Sequence, residues 1–191
     1  MVAKDERVGA TMSVVDVERH GIVAISEGDH EAAYQAAEWL QSSRSTSATS
    51  RSVTPIRMHV EALRRFGGLT PRAVIGGQFV PGPGDRTQIS VGVAGFGLFD
   101  AEDEPTCPSR LWNQPFTIGL PSEFARPVAR ALGEGPQLPP GMLTIDRAGF
   151  DLMNSSEMIF AQTVSVLQAV LVARLGGEDV DKAAHVVIHT W

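Results

Sequence analysis

One cysteine, one tyrosine and two lysines are all that 191 residues contain of those three types. A lone Cys107 cannot form an intrachain disulfide, so packing alone must hold the fold, which suits a reducing compartment. Lys4 and Lys182 leave the other 14 of the 16 basic residues as arginine, against 22 acidic residues and a net charge of −6. That balance disfavours indiscriminate nucleic-acid binding, whose affinity comes from neutralising phosphates. No long apolar run is present either. Val164 to Leu175 is broken by Ser165, Gln168 and Arg174, short for a bilayer span. Met1 to Glu6 carries charge with no apolar stretch behind it, so no signal peptide is expected and the expected location is cytoplasmic.

The signatures of several chemistries are missing as well. There is no G-x-x-x-x-G-K-[ST], and Gly82/Gly84 and Gly95/Gly97 lack the third glycine of a dinucleotide loop. No G-x-S-x-G marks a nucleophile elbow. The acidic surroundings of Cys107 (Glu102, Asp103, Glu104) raise a thiol pKa and disfavour a nucleophile. No cofactor, no metal and no GTP binding are expected, and no residue is assigned a catalytic role.

What is present reads as an ordinary folded chain, with 43% hydrophobic and 20% charged residues. Val8 to Val17 and Ile22 to Ser26 predict a β-hairpin. Asp29 caps a predicted helix to Leu40 with Ala33, Ala36 and Ala37 on its inner stripe. Residues 42–54, almost all Ser and Thr, predict a flexible loop, a passive linker rather than a phosphorylated tail. Ile56 to Val60 predicts a strand that leads to a break at Gly67-Gly68. Ala73 to Val80 and Thr87 to Phe96 read as paired strands across Pro81-Gly82-Pro83-Gly84-Asp85. Further strands are predicted at Phe116 to Leu120 and Met142 to Arg147. A helix opens at Pro121-Ser122-Glu123, with Pro127 expected to bend it or displace its start.

Asn154 and Glu157 suggest a capping box for a buried helix carrying Phe160, Val164, Leu167 and Leu171, ended by Gly176-Gly177. Val186-Val187-Ile188 reads as a closing strand. On that reading His185 and His189 lie about 13 Å apart, too far to share an ion. His20 and His30 read as turn and helix-start residues, and His59 has no evident partner. The class is α+β, with residues 1–70 packed on the same body as residues 71–191.

Residues Ile118 to Ala173 resemble domain IV of translation elongation factor G. Leu120-Pro121-Ser122-Glu123-Phe124 and Val128 are similar to that family's I-P-x-E-Y and following Val. Phe150, then Ser155-Ser156-Glu157-Met158 with Phe160, resemble its Y-H-x-V-D-S-S-E-M-A-F at the same spacing. Gly82 to Val91 is more weakly similar to its G-R-G-Q-[FY]-G-H-V-x-I. The resemblance implies a ribosomal protein S5 domain 2-like fold, a mixed sheet with helices packed on one face and one left-handed crossover. It also implies that the loops Gly82–Gln88 and Ala148–Asn154 converge at a tip. Gly84, Asp85, Arg86, Phe150, Asp151 and Asn154 then become the binding residues. Asp85, Asp151 and Asn154 stand where the family has Gln, His and Asp, which on balance makes that tip more acidic where the family meets RNA.

The GTPase domain has no room in this chain, so the expected function is a non-catalytic binding module that docks on a protein or on the ribosome. The alternative is a small-molecule binder or an enzyme built on the same fold, which hosts both. A weaker reading gives Arg64, Arg65 and Arg72 to nucleic acid, which is not expected to be the main ligand.

Overall fold

Alternating apolar residues shape the first two strands, β1 (Met12–Val17) and β2 (Gly21–Glu27), in a computed structural model that describes residues 12–49 and 54–191. They pair antiparallel around a tight turn where Arg19 takes a left-handed backbone, φ 68°. Val8 to Thr11 of the predicted hairpin fall outside the described residues.

The predicted helix at 29–40 does not form. Residues 28–37 cross the sheet in extended and turn conformations, and Glu38–Ser45 is a strand, β3. Helix propensity loses here to pairing across the molecule. Ala32 accepts a hydrogen bond from the Ala148 N–H, Ala33 bridges Arg147, the Tyr34 hydroxyl donates to the Gly92 carbonyl, and Ala37 N–H donates to Val93. The Ala36 methyl lies against Gly92 of the neighbouring chain segment, 3.0 Å from where a Cβ there would stand. Ser42–Ser45, expected to open a loop, finish β3; residues 50–53 lie outside the description.

β4 (Ile56–Arg64) and β5 (Arg72–Pro81) form a hairpin whose turn is Gly67-Gly68, both at positive φ. β6 (Arg86–Val93) follows, then two short strands, β7 (Thr106–Cys107) and β8 (Phe116–Ile118). α1 (Ser122–Glu134) leads into β9 (Gly141–Phe150). Pro127 is buried inside α1 without displacing its start. The sheet order is β1-β2-β4-β5-β9-β6-β3, with β8 pairing β7 and the far end of β9.

β5 and β6 are therefore not partners. β9 inserts between them, antiparallel to β5 and parallel to β6. The Pro81–Asp85 connection is wide enough to step across the start of β9, where Gly82 N–H donates to the Pro140 carbonyl. The class is α+β, with one parallel pair in an otherwise antiparallel sheet.

α2 (Glu157–Gly176) is the core helix. Phe160, Val164, Leu167 and Leu171 are all fully buried, as the 3.6-residue spacing predicts. Its cap is Ser156, which accepts from Ile159 N–H, rather than Asn154; Gly177 closes it at φ 71°. At 20 residues and mean hydropathy 1.7 it has the length and composition of a membrane span, longer than the broken run suggested. Most of it is buried within the fold.

Residues 186–188 are helical: α3 (Val180–Ile188) starts at Asp179, whose carboxylate accepts from Lys182 N–H, and buries Ala184 and Ile188. The β-branched run reads as a strand locally, but the cap and the i, i+4 burial decide. All three helices pack on one face, joining Val60, Ile75, Leu143 and Ile145 in the main core. The other face carries a smaller cluster of Ala32, Val74, Cys107, Phe116 and Ile118 under the loops.

Candidate functional site

The two loops expected to converge lie at opposite ends of β9. Thr87 pairs with Gly141 at the strand's beginning, while 148–154 is its finish, about 30 Å away by the strand rise. The insertion of β9 beside β6 causes this, since the Gly82–Gln88 turn must then sit at its start. Gly84, Asp85 and Arg86 are exposed there. Arg86 donates to the hydroxyls of Ser43 and Ser45 on β3, at 2.8 and 3.3 Å. Phe150 is no surface residue: it is fully buried against Phe96 and Phe124.

Asp151 is the hub of the other end. Its carboxylate accepts from Arg72 Nε at 2.8 Å, from the Met153 and Asn154 N–H groups at 2.8 and 3.2 Å, and from Asn154 Nδ2 at 3.0 Å. Burial pushes this carboxyl up, but the bonds from Asn154, Met153 and Arg72 outweigh it and hold it below the ordinary carboxylate range. Arg72 is 1% exposed. Its guanidinium also donates to the Gln114 and Pro115 carbonyls and lies 4.4 Å over the Phe116 ring. Arg72 N–H donates to the Asn154 carbonyl, and Ser155 Oγ donates to the Arg72 carbonyl. Three segments are thus clamped by one ion pair: the start of β5, residues 114–115, and residues 151–155. Removing either partner would strand a buried charge, at a cost of about 3–5 kcal/mol.

That burial withdraws Arg72 from the arginine trio read as a nucleic-acid contact. Arg65 is held by Asp16 at 2.6 and 3.0 Å. Arg64 lies 4.9 Å over the Phe66 ring and donates to Met158 Sδ at 3.1 Å.

Around this clamp the surface is unusually apolar. Phe66 and Leu69 flank the Gly67-Gly68 turn, and Leu152, Met153 and Met158 lie on or just after the β9–α2 loop. Each is at least 41% exposed, Met153 reaching 88%. Single exposed hydrophobics are ordinary; five gathered at one end, four on adjoining loops and one in the first turn of α2, are not. Sequence reading missed them although a signal existed, since large apolar residues in glycine-rich or Asp/Asn-rich turns belong to no buried stripe.

A second polar cluster lies under the loops on the face away from the helices. Glu61 accepts from Ser109 Oγ and from the N–H groups of Arg110 (2.7 Å) and Leu111 (3.0 Å). Beside it, the His59 ring lies against that of His30, centroids 4.8 Å apart and planes tilted by 31°, and across Gly76, where no Cβ would fit. His59 is 2% exposed and neither ring nitrogen reaches a partner at good geometry. Burial, then the neighbouring His30, Arg147 and Arg57, push its pKa down to about 3, with only the Ser26 main chain opposing. The Cys107 thiol is pushed up to about 11 by burial and by Glu31 and Glu61. This cluster is sealed; the end around Arg72 is open.

Compared with protein-family models, curated proteins and solved structures, the chain matches none.

Proposed function

We propose that the protein is a non-catalytic docking module that receives a protein partner on the loop end formed by residues 65–71 and 151–158. The observation that carries this reading is the set of five exposed apolar side chains, four on loops and Met158 in the first turn of α2, gathered beside the buried Arg72–Asp151 pair. Clamped loops lose little conformational freedom on binding, and methionine and aromatic residues are favoured at interface centres. Arg64, held over Phe66, sets one cation at the rim, which favours a partner whose apolar anchor is flanked by an acidic group.

The resemblance to elongation factor G domain IV supports the reading, because Ala148–Asn154 corresponds to one of that family's tip loops. The ribosomal protein S5 domain 2-like fold is what that resemblance proposes; the structure itself gives an α+β body with one parallel strand pair and helices on one face. A ribosomal protein is accordingly one candidate partner, with no GTP-driven step in this chain.

The test is the double variant Leu69→Asp/Met153→Asp, both sites exposed, so stability should change by only about 0.5 kcal/mol. Crosslinked capture and ribosome co-sedimentation should recover partners with the wild type and lose them with the variant. Equal recovery from both would sink the proposal. Loss with Arg86→Ala instead would move the site to the opposite end.

A further inference from the structure

Because α3 is a helix, His185 and His189 lie on one helix face rather than spaced along a strand. We propose that His20, His185 and His189 form a three-imidazole site for a divalent transition metal of the zinc class, joining the β1–β2 turn to the end of α3.

The ring centroids of His20 and His189 are 5.0 Å apart, and those of His185 and His189 are 6.1 Å apart. An imidazole bound at about 2.1 Å places its centroid about 3.2 Å from the metal, so two rings sharing a tetrahedral ion lie about 5.3 Å apart. Both observed separations bracket that value. Among the described residues no three His, Cys, Asp or Glu side chains surround one point as they stand. The His185 and His189 rings stand nearly parallel, 10° apart, so the site closes only when the His185 ring turns as well as moving in by about 1 Å, a change within side-chain rotamer freedom.

His20 is already set for the role. Its Nδ1 is 3.0 Å from the main-chain oxygen of Trp191, which can only accept, so Nδ1 carries the proton and Nε2 keeps its lone pair. A ligand histidine whose second nitrogen donates to a carbonyl is the usual arrangement at metal sites. The Trp191 ring packs over Gly21, and Arg65 N–H donates to the His20 carbonyl, so the turn is held against the end of α3 before any ion arrives. His185 and His189 are exposed and His20 half-buried, which leaves the ion a path from solvent. Imidazole ligands suit zinc, copper and nickel over magnesium or calcium, and three of them leave the fourth position to water.

The full chain, stripped of metal, should be titrated with Co2+ near neutral pH, where imidazoles are available as ligands. Visible absorption of a nitrogen-ligated ion should saturate at one equivalent and be displaced by Zn2+, and Zn2+ should raise the melting temperature. His20→Ala, His185→Ala and His189→Ala should each weaken Zn2+ binding by about tenfold or more; the two exposed α3 variants should leave the metal-free melting temperature in place, whereas His20→Ala, which also loses its bond to Trp191, is compared with its own metal-free form. Absence of saturable binding would overturn the site. So would a His20→Ala protein that binds like the wild type, since the ion would then sit on the helix pair alone.

Discussion

His59 is a neutral imidazole in a sealed layer, and its neutrality ties stability to pH. In the unfolded chain it takes up a proton as pH falls through about 6.5, whereas the folded protein resists until about 3. Between those values the unfolded state holds more protons. The contribution is therefore fully present above about 6.5 and falls by about 1.4 kcal/mol per pH unit on acidification. His30, also shifted down by burial, works in the same direction. Asp151, held below its ordinary 3.8, loses its contribution only as pH drops past that value. Urea titrations between pH 7 and pH 4.5 thus isolate the histidines. His59→Leu, which removes no hydrogen bond of good geometry, should flatten the slope over that range. Parallel slopes for variant and wild type would contradict a buried, uncharged His59. The tilted His30–His59 pair was not legible in the sequence, because His30, His59 and Gly76 meet only through strand pairing and a crossing loop.

Among elements, α2 was the most legible, since its apolar positions repeat over five turns and no competing period exists. Its buried Phe160 lies 4.7 Å from the Phe124 ring, so Phe160→Ala should cost about 3–5 kcal/mol by equilibrium urea unfolding. A loss under about 1 kcal/mol would mean the cavity collapses freely or the helix sits in another register. The misread elements failed for identifiable reasons. Ala33, Ala36 and Ala37 have helical spacing, yet their segment is bridged to Arg147 of β9 and hydrogen-bonded through its main chain to Val93 of β6. Val186-Val187-Ile188 has β-branched composition, yet the Asp179 cap lies seven residues upstream, beyond a strand-length window. In the candidate site, Asp151 and Asn154 were picked out from the resemblance. Arg72, 79 residues before Asp151, carried no local mark of its partner.

At the scale of the whole molecule, β9 is the keystone of the sheet. β1, β2, β4 and β5 lie on one side of it and β6 and β3 on the other, and no described strand pair joins those groups directly. A fragment ending at Pro140 lacks β9, α2 and α3, so hydrogen exchange should find β3 and β6 unprotected in it and protected in the full chain. Protection of β6 in the fragment would show that the two groups can meet without β9. The same arrangement bears on synthesis, where residues emerge at roughly 5–20 per second. For several seconds a nascent chain presents a bare β5 edge, with β6 not yet held beside it. Until Gly141–Phe150 leaves the tunnel, that edge can pair with another extended segment, including the β9 of a neighbouring nascent chain on the same message.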